Sequence, residues 1–239
     1  MEALLLAGGR AERLGEAGGT GPKPLRLLAG FPLAAYQVAR LSRAGVERVI
    51  VACAQGHERL FESGLAGFGP EIVAVAEPEP LGRGGGLRFA AAQREESGPV
   101  MAMNGDELLD VDYGALLSHH RAHGPAATVV VAQVRSPFGV VDVGEDGFVK
   151  GFREAPKLPQ WVNAGVYVLD EEALAALPER GDHETSTFPA LAEDGRLLAY
   201  RHEGVWLTVN TPKDLRRAEE WIAEHPDWRP AGEPQPASR

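Results

Sequence analysis

The sequence predicts an α/β fold: a mixed, mainly parallel sheet with helices on both faces and a β-rich second half. Three observations predict it. Short apolar strand signals alternate with helix-period stretches through the first half of the chain. The first apolar run, Leu4–Ala7, ends on Gly8-Gly9, which suits a buried parallel strand. After about residue 125, β-branched residues and turn signals take over.

Each element follows from local signals. Residues 32–44 carry Leu33, Tyr36, Val38 and Leu41 at nearly helical spacing, with Pro32 as the expected first helical residue and Gly45 as the stop. Val46–Cys53 reads as a strand, His57–Ala66 as a helix, Ile72–Ala76 as a strand, Gly85–Glu96 as a helix and Val100–Met103 as a strand. Asp112 is placed to cap a helix over Tyr113–His123. Thr128–Val134 and Val140–Val143 are strands, and Gly144-Glu145-Asp146-Gly147 is a hairpin turn signal before Phe148. Trp161–Leu169, Leu197–His202 and Val205–Val209 are further strands, and Thr211–Glu224 is a closing helix with Pro212 in its first turn. Residues 226–239 hold four of the 18 prolines and little apolar material, so a loosely ordered tail is expected after one domain over residues 1–225.

Composition bounds the function. A chain of 239 residues buries about three quarters of the surface its unfolded form exposes, so it needs no disulfide or metal staple. The formal charge of −10 argues against a nucleic-acid or anionic-membrane binder. The single Cys53 excludes an internal disulfide and a cysteine-built zinc site. No apolar run approaches the roughly 20 residues that span a bilayer, and Glu2 stands where a secretory signal carries basic charge. The expectation is a cytoplasmic enzyme or binding domain, monomeric or homodimeric.

The strongest motif is Leu6-Ala7-Gly8-Gly9-Arg10-Ala11-Glu12-Arg13-Leu14, followed after seven residues by Pro22-Lys23-Pro24-Leu25. A glycine pair at a strand end lets backbone N–H groups turn toward an anion, and Arg10, Arg13 and Lys23 bring three positive charges to an acidic chain. The cluster suits a triphosphate; a turn with solvated arginines is the plainer reading. It is neither a Walker loop nor a dinucleotide fingerprint, since no Gly-Lys-Ser/Thr and no third glycine follow. Downstream, Glu77 to Leu87 packs four glycines into five positions, at 82 and 84–86, which leaves bare backbone for a base or makes a flexible loop. Asp106 follows a strand at Asn104-Gly105, where a carboxylate suits Mg²⁺ or a turn. Asp110-Val111-Asp112 could suggest the carboxylate pair of a glycosyltransferase, and His119 and His123 share a helix face that reads best as solvated.

These residues resemble the nucleotidyltransferases that make nucleoside-diphosphate sugars. The Leu-Ala-Gly-Gly stretch, Pro22-Lys23-Pro24-Leu25 and Gly30-Phe31-Pro32-Leu33 are similar to that family's opening. Phe138-Gly139-Val140-Val141, Gly151-Phe152-Arg153-Glu154-Ala155-Pro156-Lys157 and Asn163-Ala164-Gly165-Val166-Tyr167 resemble its sugar-side motifs. The resemblance runs from residue 4 to 215 and implies a Rossmann-like, GT-A-like fold. It implies that NTP, with GTP favoured, and a sugar 1-phosphate give an NDP-sugar and pyrophosphate. In pattern it is nearest the mannose-1-phosphate and heptose-1-phosphate guanylyltransferases.

The resemblance also implies roles. Ala7, Gly8, Gly9, Arg10, Arg13, Lys23, Gly84 and Gly85 would bind the nucleotide, with Arg13, Lys23 and Asp106 catalytic. Gly139, Glu154, Lys157 and Asn163 would bind the sugar phosphate, and Asp106 with Asn210 would hold Mg²⁺. Several positions depart from the family pattern. Ala11 replaces a glycine, Arg83 a threonine and Ala155 a lysine that grips the sugar phosphate; Lys157, Lys150 or Arg153 would have to supply that charge. Thr208 stands where many relatives have an aspartate, and Asn210 where others have one. Two alternatives follow: nucleotidyl transfer to a cofactor or polyol phosphate, and a nucleotide-sugar sensor that does not turn over.

Overall fold

The computed structural model describes residues 1–8 and 21–231. The chain opens with β1 (Glu2–Leu6), passes through a short hairpin of β2 (Leu27–Leu28) and β3 (Phe31–Pro32), and enters α1 (Leu33–Arg43). Then come β4 (Arg48–Ala54), α2 (Glu58–Gly64), β5 (Glu71–Glu77), α3 (Gly82–Ala91), β6 (Val100–Asn104), β7 (Glu107–Leu109) and α4 (Tyr113–His123). The second half holds β8 (Ala127–Arg135), β9 (Val140–Val143), β10 (Val149–Arg153), β11 (Lys157–Leu169), α5 (Glu171–Ala176) and α6 (Thr187–Glu193). It closes with β12 (Leu197–His202), β13 (Trp206–Thr208) and α7 (Pro212–Glu224).

Seven strands form the central sheet in the order β12-β8-β11-β6-β1-β4-β5. β11 is antiparallel to both its neighbours, and every other pairing in the sheet is parallel. The sheet is therefore mixed and mainly parallel. β1 alternates its buried side chains between the faces: Ala3 and Leu5 pack with α1, α4 and α7, and Leu4 packs with α3, α5 and α6. A strand covered on both sides must be apolar throughout, which is why Leu4-Leu5-Leu6 is legible as a buried strand. Glu2 is the exception. Its buried carboxylate accepts from Arg48 at 2.6 Å and from the backbone N–H of Glu95 and Glu96.

Several boundaries differ from the sequence reading. Pro32 is the N-cap of α1 rather than its first helical residue, because it also pairs in β3. α3 begins at Gly82 and ends at Ala91, not over 85–96; the turn beyond it delivers the two N–H groups that Glu2 accepts. Asp112 caps α4 through Ala115 N–H at 2.9 Å, and Gly144-Glu145-Asp146-Gly147 turns β9 into β10. The closing helix carries a full capping box between Thr211 and Asp214.

The expectation of a loose tail is corrected for residues 226–231, while 232–239 lie outside the described residues. Pro226–Trp228 forms a 3₁₀ turn, Trp228 stands edge-on to Trp221 at 4.3 Å, and the Arg40 guanidinium lies 4.2 Å over its ring. Aromatic and cation–π contacts of this kind are each worth about 0.5–1.5 kcal/mol. Trp228→Ala is expected to lower the unfolding free energy by about 1–2 kcal/mol, read from the urea midpoint; an unmoved midpoint would return this turn to the tail.

Candidate active site

The strand order reverses at β1. The chain runs from β1 outward through β4 to β5, then returns to β6 on the other side of β1. The crevice at the carboxyl ends of β1 and β6 is where open α/β sheets take ligands. Ala7 N–H donates to Ala52 O at 2.9 Å and extends the ladder one residue, while Gly105 N–H donates to Leu6 O at 2.9 Å and ties the loop after β6 to β1. Of the expected phosphate loop, Ala7 and Gly8 are described; Gly9, Arg10 and Arg13 lie outside the described residues.

At this edge Lys23, Asp106 and Asn210 meet. Lys23 opens a 3₁₀ turn set between Pro22 and Pro24. Its Nζ donates to Asp106 Oδ2 at 2.6 Å and to Asn210 Oδ1 at 2.7 Å, with the side chain 12% exposed. The helix after Asn210 is capped by Thr211, so the Asn210 amide oxygen is left to face the lysine. Thr208 instead pairs across to Glu107. Asp106 and Asn210 thus already converge on one cation, and both offer hard oxygen. Among the described residues, no three or more His, Cys, Asp or Glu side chains gather as a metal site. That donor set fits a divalent cation whose remaining ligands are phosphate and water, and does not fit an enclosed structural metal.

Two carboxylates here were missed by sequence reasoning. Glu107 follows Asp106, and its Oε2 accepts from Trp206 Nε1 at 2.8 Å. Burial and the neighbouring Asp106 push its carboxyl up to about 8, against the opposing Trp206 bond and Lys23 charge. Glu77 ends β5, is 8% exposed, and accepts from Leu81 N–H at 2.9 Å. Its other oxygen lies 2.9 Å from where a methyl group on Gly8 or Gly86 would stand, so both glycines are bare to admit it. Burial raises its pKa as well. The one signal available was an acid closing an apolar strand just before the glycine run.

The glycine run is not an open loop. Gly82 and Gly84–Gly86 form the first turns of α3, and Gly84–Gly86 are buried. A methyl group on Gly84 would meet Pro178 Cγ at 2.7 Å, and one on Gly85 would meet Glu179 O at 2.6 Å. Gly84 N–H donates to Gly181 O at 2.9 Å. These glycines therefore let segment 178–184 lie against the helix, which corrects the bare surface expected there. Arg83 pins the same segment: it bonds the Asp182 carboxylate and reaches Glu184 Oε2 at 2.9 Å.

The residues expected on the sugar side have partners of their own. Asn163 Nδ2 donates to Tyr167 OH at 2.9 Å and Glu184 Oε1 at 2.8 Å, and its Oδ1 accepts from Gly165 N–H at 2.8 Å. Most of its capacity is used within the protein. A methyl group on Gly139 would meet Phe152 Cζ at 2.6 Å. Glu154 and Lys157 are exposed. Lys150 is paired with Asp146 at 2.6 Å and Arg153 with Asp142 at 3.1 Å, so neither is free to replace the lysine absent at Ala155. Lys157 instead stands directly across from Arg135 in the ladder, and Arg135 Nη1 donates to Ala155 O at 3.3 Å. Like charges placed opposite each other repel unless an anion joins them.

The remaining candidates are structural. Asp110 Oδ1 accepts from Val205 N–H at 2.7 Å and lies 2.9 Å from His202 Nε2, while Asp112 caps α4. That pair therefore does not converge as a glycosyltransferase's would. The His119 ring packs 4.4 Å from His123 and 5.3 Å from Tyr200. Because the Glu107 carboxyl titrates near 8 in the fold but at its ordinary 4.5 when unfolded, the folded state holds the extra proton and stability falls as pH rises across that window. Glu107→Gln, which keeps an acceptor for Trp206, should gain stability over the parent progressively between pH 5 and pH 8 in thermal melts; a constant difference would contradict the raised carboxyl.

The Nucleotidyl transferase family matches residues 2–225. The mannose-1-phosphate guanylyltransferase catalytic subunit beta of Drosophila pseudoobscura pseudoobscura is 34% identical over 222 residues, which cover 89% of this chain and 60% of that protein. The mannose-1-phosphate guanylyltransferase of Mycobacterium tuberculosis is 32% identical over 228 residues, covering 91% of this chain and 63% of that one. This chain spans about six tenths of the length of such curated relatives. In fold it is similar to HddC from Yersinia pseudotuberculosis, with a TM-score of 0.73 at 23% identity over 92% of this chain and 99% of that one. It is equally similar to a putative glucose-1-phosphate thymidylyltransferase from Bacillus anthracis, with a TM-score of 0.73 at 19% identity over 92% and 95% of the two chains. The match over residues 2–225, on a mainly parallel sheet that gathers Lys23, Asp106 and Asn210 at its switch point, makes this chain a member of the nucleotidyl transferase family.

Proposed function

We propose that the chain is a sugar-1-phosphate guanylyltransferase, joining GTP and a sugar 1-phosphate to give a GDP-sugar and pyrophosphate. The observation that carries the reading is the convergence of Lys23, Asp106 and Asn210 at the carboxyl edge of a family sheet. Relatives at 31–34% identity are named mannose-1-phosphate guanylyltransferases.

In this reading a phosphate oxygen of the acceptor attacks the α-phosphorus in line. The new P–O bond forms as the bond from the α-phosphorus to the bridging oxygen breaks, and pyrophosphate leaves with that electron pair. No protein nucleophile is required, so positioning and charge neutralisation do the work. Lys23, with Arg13 and Arg10, would hold phosphate oxygens of the nucleotide, over the backbone of Ala7, Gly8 and Gly9. Members of this family generally use a divalent metal ion. Asp106 and Asn210 would hold Mg²⁺, whose chemistry is to neutralise and polarise phosphate oxygens. Asn210 adds no charge, so binding at this site should be weaker than with two carboxylates. Glu154 would accept from sugar hydroxyls, and Lys157 with Arg135 would take the acceptor's phosphate.

Glu77 supports the choice of guanine. Glu77 Oε2 already accepts from Leu81 N–H, so the Oε1 beside Gly8 is the atom that would be left to a donor such as guanine N1–H or its 2-amino group. Transfer to a polyol or cofactor phosphate is the second reading, favoured by the way the Asn163 amide is spent on Tyr167 and Glu184.

The deciding experiment is pyrophosphate release with Mg²⁺ across five NTPs crossed with sugar 1-phosphates and polyol phosphates. Release confined to GTP and a sugar phosphate supports the proposal; release only with a polyol phosphate supports the second reading. Asp106→Ala should then cost about 100-fold or more in kcat, and unchanged turnover removes it from the site. Glu77→Gln should reduce the preference for GTP over the other NTPs by about 10- to 100-fold, the scale of one mismatched buried hydrogen bond. An unchanged preference in the same assay would take Glu77 out of base selection.

A further inference from the structure

Helix α1 buries a polar side chain in its apolar face. Gln37 is 1% exposed and stands between Tyr36 and Val38, both buried. A buried amide is costly unless it is bonded, and Gln37 bonds at both ends. Its Nε2 donates to the backbone oxygen of Glu107 at 2.9 Å, and its Oε1 accepts from the hydroxyl of Tyr113, a buried residue at the start of α4. The Tyr113 hydroxyl also lies 3.9 Å from Met103 Sδ in β6. These bonds fix the amide, since turning it over would set one acceptor against another at Glu107.

Glu107 is the residue after Asp106. On the other side of Asp106, Gly105 N–H donates to Leu6 O at 2.9 Å. The Asp106 segment is thus tied to β1 before the carboxylate and to α1 after it. The same helix holds the chain that leaves the Lys23 turn: Leu33 N–H donates to Arg26 O at 2.8 Å, and Tyr36 OH donates to Leu28 O at 2.7 Å. α1 therefore grips both segments whose side chains meet in the Lys23–Asp106 pair.

We infer that Gln37 is a positioning residue for Asp106. Through the Glu107 carbonyl it sets where the Asp106 carboxylate stands relative to Lys23, and Tyr113 sets the Gln37 amide. The kinetic consequence rests on the proposed reaction, in which Asp106 holds the metal ion. Gln37 acts through the main chain alone, because its amide is bonded to Glu107 and Tyr113 and is closed off from any ligand. Outer partners of this kind, when removed, typically cost 10- to 100-fold in metal affinity or activity.

The test uses Gln37→Met, which nearly keeps the volume and removes both bonds, and Tyr113→Phe, which removes only the hydroxyl. With the substrates that the grid identifies, Gln37→Met should raise the half-saturating Mg²⁺ concentration about 10-fold and lower kcat about 10-fold. Tyr113→Phe should move both in the same direction by less. Mn²⁺ titrated into protein and GTP without acceptor, followed by its EPR signal, should bind about 10-fold more weakly to Gln37→Met. Thr187→Val removes a buried hydrogen bond to Ala176 O in another part of the fold. It should lower the urea midpoint and leave the Mg²⁺ requirement at the parent value. A folded Gln37→Met with the parent's Mg²⁺ requirement and Mn²⁺ affinity overturns the inference. An equal shift of that requirement in Thr187→Val does so too, because the effect would then be one of stability.

A further arm needs no turnover. In urea unfolding, the separate losses from Gln37→Met and Asp106→Ala should together exceed the loss in the double variant, because both disturb one Lys23–Asp106 pair. Additive losses overturn the inference. A parent that neither turns over nor binds Mn²⁺ defeats the guanylyltransferase reading, and the urea cycle then decides Gln37 by itself. If Gln37→Met does not fold, Tyr113→Phe carries the same measurements, with the same outcomes deciding.

Discussion

The Lys23 ammonium donates to oxygens that stand 83 and 187 residues away along the chain. A cation this far from solvent has to be paired, and its partners cannot be borrowed from its own short turn, which Pro22 and Pro24 hold in a fixed conformation. The ladders make the meeting possible. Asp106 follows β6, which lies beside β1, and Asn210 arrives because β13 pairs with β7 in the register Thr208↔Glu107. Two small strands outside the main sheet thus carry a late segment of the chain back to the crevice between its first and fourth long strands.

Around that cation the acidic groups are treated differently by their surroundings. Asp106 is partly exposed and faces Lys23 directly. Glu107, one residue on, turns inward to Trp206 and is pushed up to about 8 by burial and by its neighbour. Glu77 is buried beneath Gly8 and Gly86, and its pKa is raised by the same desolvation. A chain of net charge −10 therefore presents few uncompensated negative charges at the edge where the proposed reaction needs to receive phosphates.

The chain packed against the start of α3 is built from less regular parts. Segment 178–184 lies against the start of α3 through Gly84 and Gly85, is pinned by Arg83, and passes its order to Asn163 through Glu184. These bonds form one network that fixes the shape of this segment. The β9–β10 ribbon is held by one pair of strands and exposes apolar side chains.

The sequence by itself determined the alternation of strands and helices, the apolar strand β1, the capped helices α4 and α7, the hairpin turn at 144–147, and the candidacy of Lys23, Asp106 and Asn210. These are local matters: side-chain period, φ preference and cap chemistry act within a few residues and leave a readable trace. Only the tertiary structure decided that the glycines at 84–86 pack against protein, that Asn163 spends its amide on Tyr167 and Glu184, and that Phe152 covers Gly139. It alone exposed Glu77 and Glu107, since a carboxylate reads the same in sequence whether it will face water or a buried neighbour. It also showed that Trp228 packs on Arg40 and Trp221, where proline-rich composition suggested slack chain. In each case the deciding partner lies far away in sequence, and a long-range contact leaves no periodicity to find.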